Sequence, residues 1–271
     1  MNDGSIVWLL SPERLTPFLT ITGTEQDAIE LHNQSLRLNA AIMPVIALIE
    51  IGLRNAISEQ LRAKLGVPNW LTAPPRTHLV WHGKEVDSIK KAIVHAQRAA
   101  YAKLTNAEKK ALDTLAYPNG VPAGLPRARR VRARQAQIQV SVGQTIAQLT
   151  LSFWKGLFSV DYEAALWKPV LRRLFPNKAI ERVDVARHLE VIYEARNRIA
   201  HHEAVIDGRL DSLLDSLDYI TQNFGAKQPG TDAIMIRMTA PFRAVLDAEA
   251  RATKEWIGRY SLAPAELPPQ S

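Results

Sequence analysis

The chain has 271 residues, of which 46% are hydrophobic, and its formal net charge at pH 7 is +7. This length and composition suit an ordinary globular protein with a substantial core. The complete absence of cysteine excludes disulfide scaffolds, thiol nucleophiles and zinc sites built on thiolates. The positive charge suggests nucleic acid as a partner without selecting it, since a membrane surface or an acidic protein would attract the same charge.

The N-terminal residues differ from a secretory signal. Asp3 stands where such a signal carries positive charge, and the apolar run up to Leu10 is too short for its hydrophobic segment. The most apolar stretch, 40–53, contains Pro44 and Glu50 and is shorter than the ~20 residues that cross a bilayer. We therefore expect a cytoplasmic protein that does not act at a membrane.

Helical patterns dominate the chain, and strand-like alternation bounded by turn residues is nearly absent. Ser11 followed by Pro12 is typical of a helix start, and Thr24 can cap a second helix. That second helix is expected to kink or to restart at Pro44 and to continue to about Leu65. The sequence therefore predicts an all-α fold.

The later helices are separated by segments rich in turn residues. Residues 68–83 are expected to form a packed loop, and Thr105 with Glu108 forms a capping box for a helix that ends near Tyr117. Apolar spacing predicts the other helices at 85–101, 137–158, 161–174, 180–204, 211–223 and 231–260. Trp154 and Trp167 lie in apolar helical patterns and are assigned to the core.

A basic segment interrupts this pattern at residues 118–136. It is rich in Pro, Gly and Arg, and we interpret it as an exposed connector. It is either a solvated linker or a surface that binds RNA phosphates, for which the candidate residues are Arg127, Arg129, Arg130 and Arg132. We assign residues 1–262 to a single domain and expect a disordered tail at 263–271.

The helix predicted at 180–204 contains the residues of greatest chemical interest. Its apolar residues recur at spacings of three and four, which predicts a buried stripe, and we place Arg196 on that stripe between Ile192 and Ile199. Burial of a guanidinium is costly unless it is paired or faces a cleft. Asn197 and His201 are four residues apart and are expected to share the adjacent face.

Arginine, asparagine and histidine together suit cleavage of RNA without a metal. A neutral histidine can remove the proton of a 2′-hydroxyl, and an arginine can stabilise the charge that builds on the phosphoryl oxygens. A structural alternative is a polar last turn, where cations favour the helix dipole. A metal site at His201, His202 and Glu203 is disfavoured, because adjacent histidines point ~100° apart on a helix.

Glu50 is the only charged residue between Asn39 and Arg54. A carboxylate in such an apolar run needs a cation, and the sequence offers two. Glu50 pairs either with Arg196, which it would then position, or with Arg54 one turn away on its own helix. Both alternatives remain open at this point.

The segment Arg196-Asn197-Arg198-Ile199-Ala200-His201-His202-Glu203 resembles the Arg-x4-6-His signature of HEPN domains, in the form found in the Abi-like abortive-infection family. Three further blocks are similar to that family in the same order: 47–57, with a Glu followed by Leu-Arg-Asn, 146–158, with Phe-Trp, and 162–176. The resemblance covers about 12–217. It departs from the family after Glu203, where Ala204 replaces a frequent Pro, and in the unmatched basic segment.

This resemblance implies a HEPN-type helical bundle, with additional N-terminal and C-terminal helices, that forms a homodimer in which two motifs meet. It implies a metal-independent endoribonuclease of a phage-defence or toxin type that needs no cofactor and leaves a 2′,3′-cyclic phosphate. An antitoxin or another regulatory partner is a candidate partner, whose presence the sequence does not reveal. Arg196 and His201 would be catalytic with the help of Asn197. The supporting residues would be Glu50, Arg54, His202 and Glu203, and Arg198 would bind RNA. The alternative is a catalytically inactive HEPN module that binds RNA or a partner protein.

Overall fold

The structure, a computed structural model, describes residues 8–230 and 233–261 of the chain. All regular secondary structure in these ranges is helical, which confirms the all-α class. The α-helices are α1 (Pro12–Thr22), α2 (Glu25–Leu65), α3 (Gly83–Ala102), α4 (Asn106–Ala116), α5 (Arg127–Ala136), α6 (Val142–Ile146), α7 (Leu151–Gly156), α8 (Arg182–Ala200), α9 (Gly208–Asn223) and α10 (Ile234–Ser261). Shorter 3-10 and π turns cover Val160–Tyr162, Glu163–Trp167 and Leu171–Leu174.

The chain divides into two compact units. One unit combines Met1–Gly52 with Arg173–Ser271, and the other is Leu53–Arg172. The first unit is therefore discontinuous in sequence, and the second is inserted into it. The assignment of 1–262 to one domain stays a prediction, and the tail expected at 263–271 lies outside the described residues.

The core of the first unit is built from α2, α8, α9 and α10. Leucine and isoleucine recur at helical spacing on each of these helices, and full burial of one such side chain contributes about 1.5–3 kcal/mol relative to exposure. The fully buried members are Leu31, Leu38, Ile42, Ile49, Val185, Leu189, Ile192, Leu213, Leu217, Ile220 and Leu246. α8 and α9, joined by a short loop, pack directly against each other.

α2 begins and ends as predicted. Thr24 Oγ1 accepts a hydrogen bond from the backbone N–H of Asp27 at 3.2 Å, and the helix continues through Pro44 to Leu65. By length and composition alone, α2 could also cross a membrane. Core helices meet the same criterion, and Ile46 is only 1% exposed. We therefore describe α2 as a core helix, and a cytoplasmic location stays a prediction.

The second unit follows the sequence prediction closely at its N-terminal part. The segment before Gly83 is a loop, and Thr105 and Glu108 form the expected capping box. Trp154 is fully buried and Trp167 is 6% exposed, which confirms both as core residues.

The predicted continuous helix at 137–158 is wrong. Ser141 and Gln144 form a capping box that starts the short helix α6, with bonds of 2.8 and 3.1 Å. A second short helix, α7, begins after Thr150. The segment 161–174, also predicted as an α-helix, consists of the 3-10 and π turns. Local capping therefore competes with the apolar pattern and divides the segment.

The basic segment at 118–136 is not an exposed connector throughout, because all five of its arginines lie on α5 and two of them, Arg130 and Arg134, are half-buried. Arg130 and Arg134, one turn apart, both donate to the carboxylate of Asp113 on α4, with Nε to Oδ1 distances of 3.1 and 2.7 Å. These two arginines therefore join two helices, and RNA binding by Arg130 stays a prediction. Arg127, Arg129 and Arg132 remain exposed.

Candidate active site

The helix that carries the Arg-x4-His segment has a buried stripe shifted by one residue from the prediction. The buried residues of α8 are Val185, Leu189, Ile192, Ala195 and Ile199. Ala195 occupies the position assigned to Arg196, and Arg196 is half-buried at the edge of the stripe. The prediction of a core-facing Arg196 was wrong because spacings of three and four are equally helical, and either residue satisfies the pattern.

The helix ends at Ala200, before the two histidines. The backbone N–H of His202 donates to the Ile199 carbonyl at 2.9 Å, and that of Glu203 donates to the Arg198 carbonyl at 2.8 Å. This pair of bonds is the Schellman arrangement, which satisfies the last carbonyls of a helix. His201 is the C-cap residue, so His201, His202 and Glu203 lie on the turn that follows α8.

His202 occupies the position in this turn that normally belongs to glycine. Its φ is +57°, in the left-handed region, which costs a residue with a β-carbon roughly 1–2 kcal/mol. Histidine tolerates this region better than most residues do, but it remains unusual there. Strained residues of this kind cluster at functional sites, and this outlier directs attention to the surface beside the turn.

A cavity of about 430 Å³ lies beside this turn. We call it the site cavity, and its charged and proton-exchanging residues are Arg14, Arg198, Arg209, His201, His202, Glu13 and Glu203. Phe18 and Ile206 contribute apolar lining. Three arginines therefore face two carboxylates, which leaves a positively charged cavity next to two histidines.

The hydrogen bonds of the turn hold the site cavity together. Arg14 on α1 donates to the His202 carbonyl at 2.8 Å, and Asn39 on α2 donates to the Glu203 carbonyl at 3.3 Å. Arg198 forms an ion pair with Glu203 at 3.1 Å, but its Nε is buried without a hydrogen-bond partner. Three separate segments of the first unit are thus needed to build one turn.

The arginines of the site cavity are largely unneutralised. Within residues 8–230 and 233–261, Arg198 has the single ion pair with Glu203, and Arg209 forms none. His201 and His202 are exposed, so a ligand in the cavity can reach both. Such an arrangement can bind an anion through the guanidinium groups and exchange protons through the imidazoles.

The predicted catalytic residues are only partly brought together. His201 lines the site cavity, and its backbone N–H donates to the Asn197 carbonyl at 3.1 Å. Arg196 and Asn197 are half-buried and are not among the residues that line the cavity. Of the two arginines in the motif, it is Arg198 that shares the cavity with His201, and the sequence analysis had assigned Arg198 to RNA binding.

The other candidate residues lie elsewhere. Glu50 on α2 is half-buried, and its pairing with Arg196 or with Arg54 stays a prediction. Arg54 belongs to the second unit, where it lines a separate cavity of about 440 Å³ together with Trp70. No group of three His, Asp or Glu side chains in the described part of the chain is arranged to hold a metal ion.

Sequence reasoning missed Arg14 and Arg209. Arg14 follows the first residues of α1 in a short amphipathic segment, and no local pattern connects it with a turn 188 residues later. Arg209 stands two residues after Asp207 at the start of α9, where a first-turn arginine is electrostatically unfavourable. That misplaced charge was the one sequence signal available.

Comparison of the chain with protein-family models, with curated proteins and with solved structures gives no match. The function is therefore inferred from the chemistry of the site cavity and from the sequence motif.

Proposed function

We propose that this protein is a metal-independent endoribonuclease in which the site cavity binds the scissile phosphate and His201 is the general base. The observation that supports this most directly is the site cavity itself, in which Arg198 and Arg209 face the same space as His201 and His202. A positively charged cavity with two exposed imidazoles meets the two requirements of phosphodiester transfer, which are charge stabilisation and proton exchange.

The proposed reaction needs no further cofactor. Neutral His201 accepts the proton of a ribose 2′-hydroxyl, and the 2′-oxygen attacks the adjacent phosphorus. The bond from phosphorus to the 5′-oxygen breaks, and protonated His202 donates a proton to that leaving oxygen. The products are a 2′,3′-cyclic phosphate and a 5′-hydroxyl, and arginine guanidinium groups stabilise the developing charge on the phosphoryl oxygens.

The resemblance to the Abi-like family adds the biological setting to the proposal. On this basis the chain is a HEPN-type nuclease of the phage-defence or toxin kind, acting on RNA in the cytoplasm and restrained by an antitoxin or another regulatory partner. The geometry of the first unit modifies the roles of the motif residues. Arg198 takes the phosphate-binding role, and Arg196 at the edge of the stripe becomes a positioning residue.

The homodimer that the resemblance implies has a candidate surface on α10. Four apolar side chains with exposures of 37 to 61% recur there at spacings of four, four and three, and these are Ile234, Met238, Phe242 and Val245. Such a row places them on one face of the helix. We expect Phe242→Glu to shift the protein towards the monomer in sedimentation velocity, and an unchanged dimer would exclude this surface.

A second candidate function is an RNA-binding module without catalysis. The observation in its favour is that Arg196, the motif arginine, does not line the site cavity with His201. The arginines alone would then bind the RNA backbone, and binding would weaken with salt as counterions are released.

One experiment separates the two functions. Purified full-length protein is incubated in EDTA with an end-labelled RNA panel, alongside His201→Ala and the matched control His95→Ala, which alters an exposed histidine of α3. We expect cleavage by the wild type and the control, a loss of about 100-fold or more in His201→Ala, and products that carry a cyclic phosphate. RNA binding without cleavage supports the module, and full activity of His201→Ala contradicts the nuclease proposal.

A further inference from the structure

A second cavity of about 540 Å³ adjoins the site cavity in the first unit. The two cavities share Arg198 and Arg209 in their linings, so these arginines stand where the cavities meet. The remaining lining of the second cavity combines apolar side chains with two carboxylates, and the residues that matter here are Val191, Ala195, Val205, Glu194 and Asp207. Its size lies within the range of small-molecule sites, roughly 300–1,000 Å³.

Asp207 has an unusual backbone conformation. Its φ is 59° and its ψ is −147°, close to a region that is essentially restricted to glycine. Asp207 is also the N-cap residue of α9, a position where aspartate normally accepts a hydrogen bond from the first turn. Its side chain makes no such bond. A strained backbone therefore coincides with a carboxylate that does not cap its helix and lies at the second cavity.

Glu194 supplies the other carboxylate. It precedes Arg198 by four residues, the arrangement that favours an ion pair along a helix. Arg198 instead pairs with Glu203 at 3.1 Å, and Glu194 has no ion pair within residues 8–230 and 233–261. Glu194 is thus a hydrogen-bond acceptor that remains open to a ligand.

We propose that the second cavity recognises the base of the nucleotide whose phosphate lies at Arg198 and Arg209, and that this base is guanine. An ionised carboxylate only accepts hydrogen bonds. Guanine presents two adjacent donors, N1–H and the N2 amino group, which match the two oxygens of one carboxylate. Uracil presents one donor, and adenine and cytosine place an acceptor nitrogen beside their amino group.

The apolar part of the lining completes the site. Val191, Ala195 and Val205 can contact the faces of a planar base, while the carboxylates act at its edge. This inference rests on the proposed function, because it places the phosphate at the arginines of the site cavity. It adds a substrate preference, cleavage next to guanosine, which the site cavity alone does not supply.

Binding of nucleoside 3′-monophosphates to the full chain tests the proposal by isothermal titration calorimetry. We expect the guanosine nucleotide to bind at least about tenfold more tightly than the adenosine, cytidine and uridine nucleotides, since unpaired donors and acceptors penalise the wrong base. Asp207→Asn and Glu194→Gln should each reduce this preference severalfold without weakening the binding of inorganic phosphate. The matched control is Asp215→Asn, an exposed aspartate of α9 outside the lining.

The variant Asp207→Gly distinguishes loss of base recognition from loss of folding. Glycine removes the carboxylate and also relieves the backbone strain, so this variant should lose the preference for guanosine while unfolding at the same or a higher temperature. If Asp207→Gly still binds the guanosine nucleotide more tightly than the others, Asp207 does not recognise the base. Equal binding of the four nucleotides, or preference for another base, overturns the proposal.

Experiments can reject guanine recognition and the nuclease proposal separately. Selective binding of the guanosine nucleotide by a protein that cleaves no RNA would retain the second cavity and reject the nuclease. Cleavage of RNA at all four nucleotides with equal rates, unaltered in Asp207→Asn, would retain the nuclease and reject base recognition.

Discussion

Two groups of arginines differ in what surrounds them. On α5, Arg130 and Arg134 both bond to Asp113. Around the site cavity, Arg198 pairs with Glu203, and Arg209 forms no ion pair among the described residues. The first group is conspicuous in the sequence and holds two helices together, whereas the second is scattered in the sequence and meets at a cavity. Density of arginine along the chain is therefore a poor guide to where arginines meet at a cavity.

The difference has an electrostatic reason. Hydrogen bonds from Arg134 and then Arg130 hold the pKa of Asp113 well below its usual range, so this carboxylate stays ionised and keeps both guanidinium groups occupied. Nε and Nη2 of each guanidinium are therefore bonded to a carboxylate of the protein itself. The arginines of the site cavity have donors left over, and the buried Nε of Arg198 has no partner.

The largest expected effect is on catalysis at the site cavity. Arg198→Met keeps an unbranched apolar side chain but removes the guanidinium and its charge, and we expect kcat/KM for RNA cleavage to fall by about 100-fold or more. The control is Arg129→Met on α5, an exposed arginine that should change kcat/KM by less than about threefold. A similar loss in both variants would show that the exposed arginines of α5 also contribute to RNA cleavage.

Removing Asp113, the carboxylate that Arg130 and Arg134 share, should affect the stability of the fold instead of catalysis. Asp113→Ala leaves Arg130 and Arg134 side by side without their shared acceptor, and the melting temperature followed by circular dichroism should fall clearly. Asp87→Ala, an exposed aspartate of α3, should melt like the wild type. RNA cleavage by Asp113→Ala at a temperature where it is folded should be unchanged, and a loss there would give α5 a functional role.

The contribution of Asp113 to stability should depend on pH. Its pKa is lowered in the folded protein, so its contribution is fully present above the unfolded-state pKa of about 3.9 and is lost as the pH falls towards the folded-state pKa. The difference in melting temperature between the wild type and Asp113→Asn should therefore be constant from pH 7 to about pH 5 and should shrink below pH 4. A difference that does not change with pH would show that charge is not its origin.

The smallest expected effect concerns the turn after α8. His202→Gly removes the strain of a β-carbon at φ +57°, and we expect a gain of about 1 kcal/mol in the free energy of unfolding. The same change removes the proposed acid of the site cavity, so RNA cleavage should fall. A variant that is both more stable and fully active would show that His202 is strained without a catalytic reason.

Local features of the fold were predictable from the sequence. The start of α2 at Thr24 and the capping box of Thr105 and Glu108 depend on bonds within three residues, and short-range patterns contain that information. The breaks around Ser141 were not predicted, since an apolar pattern at helical spacing does not distinguish one long helix from two short ones. Asp113 was also missed, because its bonds to α5 cross a loop.

The candidate site was predictable only at its centre. The motif located His201, but spacing alone could not choose between Ala195 and Arg196 for the buried position. The hydrogen bond from Arg14 to the His202 carbonyl depends on tertiary packing, which no local pattern encodes. Asp207 resembles an ordinary N-cap residue in the sequence, and only its backbone angles reveal that it does not act as one.

The distance along the chain between the parts of the site cavity has a consequence for synthesis. Arg14 and His202 are separated by 188 positions, and Arg198 and Arg209 are translated after the whole of the second unit. Since a unit folds only once all of its segments have emerged from the ribosome, the first unit cannot complete its fold before its C-terminal segment has been translated. The site cavity is therefore not assembled while most of the chain is still being made. Under the nuclease proposal, the ribosomal RNA that surrounds the growing chain meets a finished site only late in translation.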